Sequence, residues 1–165
     1  MLQTLDFFLK KWMLRLKIFS FLAATWAVFF SVFTLMGLRA GFEYDDGLVF
    51  STPAFKSALE AKTDGTGSKD YWNAVNRSYD LERTKPVVWL TAWFFKALGF
   101  KVSILTQRGP AGSDSLVQNW KPLANDFFFS PDENRTYELL EKKPFTLYFA
   151  SSDAGIIQAL KAGVW

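Results

Sequence analysis

Residues 41–55, GFEYDDGLVFSTPAF, decide the fold and lie directly after a long apolar segment. A short apolar run leads into three acidic residues, Glu43, Asp45 and Asp46, which are followed by Gly47 and a second apolar run. This pattern indicates a strand that ends in clustered carboxylates. One interpretation is a divalent cation site, because hard cations favour oxygen ligands. The other interpretation is a solvated acidic turn.

Composition narrows the function classes. The chain has 165 residues, which is room for one domain and a membrane segment. It contains no Cys and no His, which excludes thiol chemistry, Cys/His zinc sites, His-dependent catalytic triads and axial His ligation of haem or chlorophyll. The net charge of +3 is carried by residues 1–17, and residues 18–165 hold 15 basic and 15 acidic residues. Nothing in this balance predicts a nucleic-acid partner.

The N-terminal part of the chain predicts a membrane anchor. Residues 1–17 form a basic amphipathic segment that suits a helix at the membrane interface or one leading into a span. Its apolar residues stand at helical spacing and alternate with cations: Leu2, Leu5, Leu9, Trp12 and Leu16, with Lys10, Lys11, Arg15 and Lys17. Residues 18–38 are 21 residues without a charge. A helix of that length is about 30 Å long, which matches the hydrocarbon core of a bilayer.

A cleaved signal peptide is the competing interpretation of residues 18–38. A retained transmembrane helix is favoured because the stretch is long for a signal peptide, is rich in bulky aromatic residues and is followed by a weak cleavage site. The basic residues before the span predict a cytoplasmic N-terminus. Residues 39–165 are then expected in the periplasm of a bacterium, anchored in the inner membrane.

Short apolar runs and helical patterns alternate through residues 39–165. Strands are expected at 101–106, 127–129 and 144–150, and 63–69 reads as a flexible loop. Helices are expected at 56–61, 70–80, 86–98, 113–120, 134–142 and 154–161. This alternation predicts an α/β three-layer fold with a parallel sheet.

The acidic stretch resembles the first motif of the class B (non-specific, periplasmic) acid phosphatases of the haloacid dehalogenase superfamily. In that family an Asp-x-Asp-Asp-Thr segment precedes Val-Leu-Phe-Ser-Ser-Pro-Gly-Phe. Here Glu43 stands at the place of the nucleophilic Asp, Asp45 is retained and Gly47 replaces the Thr. Residues 70–80 resemble the cap region of the family, and the similarity runs in the family's order over about 39–165.

The later motifs of the family are also present in altered form. Thr106 and Arg108 match the second motif, whose Thr binds the transferred phosphate, while Gln107 replaces a glycine. The lysine that neutralises phosphate falls near Thr136 and is absent unless Arg135 substitutes for it. In the last motif Ser151 stands at the place of the metal-binding Asp, and Gly155 at the place of the final Asp. Asp153 is retained and is expected to cap the helix that follows.

Taken together, these replacements imply a degenerate member of the family. Phosphoryl transfer there needs an Asp nucleophile, a magnesium ion and a cation on the phosphate. Glu43 is one methylene longer, and misplacement by about 1 Å can already cost roughly 100-fold in rate. No catalytic residue, metal or other cofactor is therefore expected, and Mg²⁺ is expected only if the chain is active.

The favoured hypothesis is an accessory or structural subunit of a bacterial membrane complex. The alternatives are a weak Mg²⁺-dependent membrane-anchored phosphatase and a sensor that holds phosphate or another small anion on Thr106 and Arg108. The expected partners are integral membrane proteins and membrane lipid. The aromatic side chains on the span and on helix 86–98 are expected to face a partner, lipid or the core. Strand 144–150 is expected to form a sheet edge, because the family's final strand is lacking. The candidate partner contacts are Trp26, Phe30, Trp93, Phe94 and Trp165.

Overall fold

The computed structural model describes residues 2–61 and 65–165. Met1 and residues 62–64, which include the start of the predicted loop 63–69, lie outside the described residues. The side chains of Leu2, Leu5 and Leu9, on which the amphipathic pattern partly depends, lie outside them as well.

The N-terminal segment forms one continuous helix, α1 (Leu2–Met36). Within the described chain it is the one helix that is long and apolar enough to cross a membrane, over Lys10–Met36. The predicted boundary between an interfacial segment and the span is not marked by a break in the helix. Gly37, with φ +66°, ends the helix in the left-handed region that glycine adopts readily. The first strand begins two residues later.

Six strands follow. They are β1 (Arg39–Glu43), β2 (Val49–Phe50), β3 (Arg83–Thr84), β4 (Lys101–Thr106), β5 (Asp126–Phe129) and β6 (Phe145–Phe149). Four of them form a parallel sheet in the order β5-β4-β1-β6, while β2 and β3 pair antiparallel beside it. The predicted parallel sheet is confirmed.

The described residues form six further helices, of which four pack on the sheet. The six are α2 (Thr52–Glu60), α3 (Lys69–Arg77), α4 (Pro86–Ala97), α5 (Asp114–Trp120), α6 (Glu133–Lys142) and α7 (Asp153–Lys161). Core residues of α4 and α5 pack with β1 and β4 on one face, and residues of α6 and α7 pack with β6 on the other. Two helices on each face of a parallel sheet make the three-layer α/β arrangement. Helices α2 and α3 form a separate small core of their own.

Most predicted boundaries agree with the structure to within one residue, and two do not. The helix predicted at 56–61 begins at Thr52, because Pro53 sits in its first turn, where its missing N–H is not needed. The helix predicted at 70–80 ends at Arg77, and a 3₁₀ turn (Tyr79–Leu81) continues the chain toward β3.

Strand β6 lies at an edge of the sheet, as expected from the sequence. This edge is partly covered by the chain itself, because the backbone N–H of Tyr148 donates to the carbonyl oxygen of Trp165 at 2.6 Å. The side chain of Trp165 is 87% exposed. On the inner side of the strand, a Cβ at Gly41 would lie 2.8 Å from the rings of Phe145 and Tyr148, so β1 and β6 approach closely only because residue 41 is glycine.

Candidate functional site

The carboxyl ends of β1, β4 and β6 meet at one end of the sheet, where α/β proteins hold their ligands. Glu43 ends β1, Thr106 ends β4, and Ser151 follows β6. The parallel register that pairs Glu43 with Leu105 and Phe42 with Phe149 brings these motif positions together. The structure thus assembles in space the positions that the sequence placed in three separate motifs.

Glu43 is 5% exposed, and its carboxylate is bound by the loop between β6 and α7. Oε2 accepts from the backbone N–H of Ser151 at 2.6 Å and from that of Ser152 at 3.2 Å. The hydroxyl of Ser151 donates to Oε2 at 2.9 Å, and that of Ser152 donates to Oε1 at 3.0 Å. Both oxygens of the Glu43 carboxylate therefore accept hydrogen bonds from donors of the chain itself. The expectation of a solvated acidic turn is wrong for Glu43.

Ser152, not Asp153, caps α7. The Ser152 hydroxyl accepts from the backbone N–H of Gly155 at 3.1 Å, and its backbone is extended (φ −106°, ψ 146°), as an N-cap requires. Asp153 is the first residue of the helix itself, so its carboxylate is one position too late to cap it. A Cβ at Gly155 would lie 2.9 Å from Ala150 Cβ and 3.4 Å from Glu43 Oε2. The close approach of α7 to Ala150, at the end of β6, depends on this glycine.

Asp45 is held by the two residues of the second motif. Its carboxylate accepts from the hydroxyl of Thr106 and from Nε of Arg108 at 2.8 Å, and it forms an ion pair with Nη2 of Arg108 at 2.7 Å. The side chain of Arg108 is fully buried. Thr106 and Arg108, the residues expected to hold an anion, are thus brought together around a carboxylate of the chain.

A second carboxylate, Glu82, also pairs with Nη2 of Arg108. The hydroxyl of Tyr44 donates to the other oxygen of Glu82, and the guanidinium carbon of Arg108 lies 4.9 Å from the centre of the Tyr44 ring. Burial raises the pKa of Glu82, although Arg108 opposes that shift. Burial alone would lower the pKa of Arg108, but Asp45 and Glu82 together raise it above its ordinary value. Arg108 therefore stays charged, between two acids.

The turn after β1 leaves no room for a side chain at residue 47. A Cβ at Gly47 would overlap the backbone carbonyl oxygen of Glu43, which accepts from the N–H of Leu48 at 3.0 Å. Asp46 adopts a left-handed conformation (φ +52°), and its carboxylate accepts from Ser51. A threonine therefore does not fit at position 47 of this turn.

The position of the expected phosphate-neutralising lysine is filled by a small buried residue. The hydroxyl of Thr136 lies 2.7 Å from that of Ser130, inside the loop that precedes α6. Arg135 is exposed on the first turn of α6. Thr136 lies in α6 and bonds to the loop before that helix, and it takes no part in the contacts described for Glu43 and Asp45.

The residues present do not fit a magnesium ion at this end of the sheet. The oxygens of Glu43 accept hydrogen bonds from Ser151 and Ser152, and the hydroxyl of Ser151 also lies 3.1 Å from the backbone carbonyl oxygen of Asp45. Lone pairs that would bind a cation are directed at N–H and O–H groups instead. Over residues 2–61 and 65–165, no group of three or more acidic side chains is placed to hold a metal ion.

Two residues important to this site carried no sequence signal. Glu82 lies in the irregular segment before α4, and no pattern links it to Arg108. Asn76 is buried in α3, and its side-chain amide donates to the carbonyl oxygens of Gly109 at 2.9 Å and Ala111 at 2.8 Å. It fixes the loop after Arg108. The helical spacing of Tyr71 and Val75 predicted a packed helix there, but not this contact.

Comparison with known proteins shows the fold. No family model matches the chain, and no curated protein matches it significantly. Among solved structures, the chain is similar to a predicted phosphoglycolate phosphatase from Haemophilus somnus 129pt, with a TM-score of 0.54 and 17% sequence identity. The alignment covers 76% of this chain and 82% of that one. The domain therefore shares the α/β fold of that protein.

Proposed function

We propose that this chain is a catalytically silent, phosphatase-like subunit of a bacterial membrane complex. Helix α1 anchors it in the inner membrane with the N-terminus in the cytoplasm, and the domain of residues 39–165 lies in the periplasm. It has an accessory or structural role toward other integral membrane proteins. The observation that carries this proposal is the engagement of Glu43, the residue at the nucleophile position, by four donors of the loop that leads into α7.

A nucleophile needs a carboxylate oxygen directed at phosphorus, whereas both oxygens of Glu43 are hydrogen-bonded to Ser151 and Ser152. Freeing its side chain would break bonds from Ser151 and Ser152 and detach the loop that starts α7. Each hydrogen bond to a charged group contributes about 1.5–3 kcal/mol. Asp45 is likewise neutralised by Arg108. Glu43 and Asp45 of the first motif thus contribute to the stability of the domain, and this supports a structural rather than a catalytic role.

The surface carries a site suited to a protein partner. Ile156, Ile157 and Leu160 are exposed on one side of α7, and Trp165 follows the same helix; we name these four residues the α7 patch. Contiguous exposed apolar residues mark interaction surfaces. The edge strand β6 lies directly beside this segment through the bond between Tyr148 and Trp165.

The other candidate contacts differ in exposure. The indole N–H of Trp26 is used within the chain, where it donates to the carbonyl oxygen of Ala97 at 3.0 Å. Trp93 packs edge-on against Trp89 and is half-buried, whereas Phe94 is exposed. Phe30 remains partly exposed on α1. Of the five candidates, Phe94 and Trp165 offer the most ring surface to a neighbour.

Purification from the native membrane in mild detergent, followed by mass spectrometry, tests the proposal. We expect a stoichiometric set of integral membrane proteins with the wild-type chain. Leu160→Ser, in the α7 patch, should reduce their recovery, whereas Leu59→Ser, at an exposed position on α2, should leave it unchanged. A wild-type chain that emerges alone would refute the subunit role. Equal recovery with both variants would refute the α7 patch as the contact.

A second candidate function is small-anion binding, and one observation favours it. Nη1 of Arg108 is buried without a hydrogen-bond partner among the described residues. The charge of the site argues against anion binding, because the two carboxylates of Asp45 and Glu82 outnumber the single guanidinium of Arg108 and repel an anion. Titration of the purified chain with inorganic phosphate decides between the two. We expect no saturable binding; binding that Arg108→Lys weakens would favour the sensor instead.

A further inference from the structure

The C-terminal end of α4 contacts the outer part of α1. The indole of Trp26 donates to the carbonyl oxygen of Ala97, and the hydroxyl of Thr34 donates to that of Gly99 at 3.4 Å. The two backbones approach so closely that a Cβ at Gly99 would lie 2.5 Å from the carbonyl oxygen of Phe30. The domain is therefore seated against the side of α1, not only joined to its end.

These contacts define the depth of α4 relative to the proposed span. Thr34 and Phe30 lie two and six residues before Met36, where α1 ends. Along a helix these separations are about 3 Å and 9 Å. Because Gly99 packs between those two levels, the end of α4 lies below the outer end of α1. A bilayer that covers α1 as far as Met36 must also surround the end of α4.

The outward side of α4 is apolar over its length. Val87 is 76% exposed, Leu90 59% and Phe94 60%, and their spacing places them on one side of the helix. We name these three residues the α4 face. Thr91, the polar residue among them, donates its hydroxyl to the carbonyl oxygen of Val87 at 2.9 Å. Its hydrogen-bonding group is thus satisfied within the helix, as contact with hydrocarbon requires.

The same end of the domain is basic. In a parallel sheet with crossover helices, the amino ends of the strands and the carboxyl ends of the helices lie together. Here that end carries more cations than acids: Arg39, Lys96, Lys101, Lys121, Lys142, Lys143 and Lys161, against Asp126, Glu138 and Glu141. Cations at helix ends complement the helix dipole, but Lys101 begins β4 and Lys143 precedes β6. The charge therefore matches a surface of anionic headgroups at the level where α4 enters the bilayer.

We propose that Phe94, the residue of the α4 face nearest the span, is buried among the acyl chains of the outer leaflet and that the basic end of the domain binds the phosphates of anionic phospholipids. The proposal rests on the membrane anchor of the proposed function. It assigns a lipid surface, not a protein helix, as the occupant of the α4 face. The domain is then seated partly in the membrane, with the carboxyl ends of its strands directed away from it.

Single-cysteine labelling of the full chain tests this inference, because the natural chain has no cysteine. Phe94→Cys reports on the α4 face, Phe21→Cys on the span and Leu59→Cys on the far surface; all three positions are exposed. Each variant carries an environment-sensitive fluorophore and is reconstituted into vesicles of phosphatidylcholine and phosphatidylglycerol with brominated acyl chains. We expect bromine to quench the labels at 94 and 21 to a similar extent and to leave the label at 59 unquenched.

The outcomes separate this inference from the proposed function. Quenching at 21 without quenching at 94 would overturn the seating of α4 and leave the anchor intact. No quenching at 21 would refute the anchor, and the inference with it. A label at 94 that is shielded from an aqueous quencher in native membranes but not quenched by brominated lipid would show a protein occupant and overturn the proposal.

A charge variant tests the lipid headgroup part. Lys101→Glu with Lys121→Glu should reduce quenching at 94, whereas Lys56→Glu with Lys69→Glu, on α2 and α3, should not. Equal quenching at 94 in the two double variants would refute the role of anionic headgroups. Quenching of the wild-type label at 94 that is the same with and without phosphatidylglycerol would refute it as well.

Discussion

Replacement of Ser152 by Ala should destabilise the domain more than any other change in the loop before α7. The substitution removes the N-cap bond to Gly155, which is worth about 1 kcal/mol, and the hydroxyl bond to Glu43, worth at least about 1 kcal/mol more. We therefore expect a loss of about 2 kcal/mol. For a domain of this size that lowers Tm by roughly 6–10 °C.

Thermal unfolding of the full chain in detergent, followed by circular dichroism, measures this effect. Ser152→Thr keeps a hydroxyl and should recover most of the loss. Asp153→Ala removes only a first-turn carboxylate, whose interaction with the helix dipole is worth about 0.3–1 kcal/mol. If Asp153→Ala costs as much as Ser152→Ala, the assignment of the cap and the bond to Glu43 is wrong.

Three further perturbations have defined outcomes by the same measurement. Arg108→Met leaves the buried carboxylate of Glu82 and the partly buried carboxylate of Asp45 without their cation and should cost about 3–5 kcal/mol; a loss below about 1 kcal/mol would contradict the buried pairing. Burial raises the pKa of Glu82 above its ordinary 4.5, so its contribution is fully present below pH 4.5 and is lost as pH rises through the folded-state pKa. The stability of the wild type relative to Glu82→Gln should therefore fall as pH rises from 4.5, and a rise would refute the shift. Gly99→Ala should cost about 1–3 kcal/mol more than Gly37→Ala, because both have positive φ but only Gly99 meets another residue; equal losses would argue against the docking of α4 on α1.

Local pattern was sufficient to predict the elements of the fold. Strand β4 was predicted at its observed bounds because a buried apolar run stands between Gly99, which ends α4, and the polar turn at Gln107. The start of α2 was missed although its signal was present, since Pro53 marks a first helical turn. The alternation of strands and helices predicted the parallel sheet, but the order of the strands depends on contacts between distant segments and was not predicted.

The candidate site was predictable in its positions but not in its bonds. The motifs placed Glu43, Thr106, Arg108 and Ser151 at one end of the sheet, and the structure brings them there. The bonds between Glu43 and Ser152 join residues that are 109 positions apart and depend on the pairing of β1 with β6. Sequence alone could not choose between two good capping residues at 152 and 153.

The contacts of Arg108 show why a binding site cannot be assigned from single residues. In the sequence, a Thr and an Arg after a strand indicate an anion site. In the structure the same side chains are satisfied by Asp45 and Glu82, and the latter comes from a segment without any pattern. A buried cation attracts whichever acid the fold brings near, and only the coordinates show that the acid belongs to the chain.

The most direct test of the central claim is the rate of phosphate release from an aryl phosphate ester by the purified full chain in lipid nanodiscs with Mg²⁺. We predict that the wild type and Glu43→Gln release phosphate at the same rate, equal to that of empty nanodiscs. Mg²⁺-dependent release by the wild type that Glu43→Gln abolishes would contradict the account, because it would show that Glu43 leaves its hydrogen bonds to attack phosphorus.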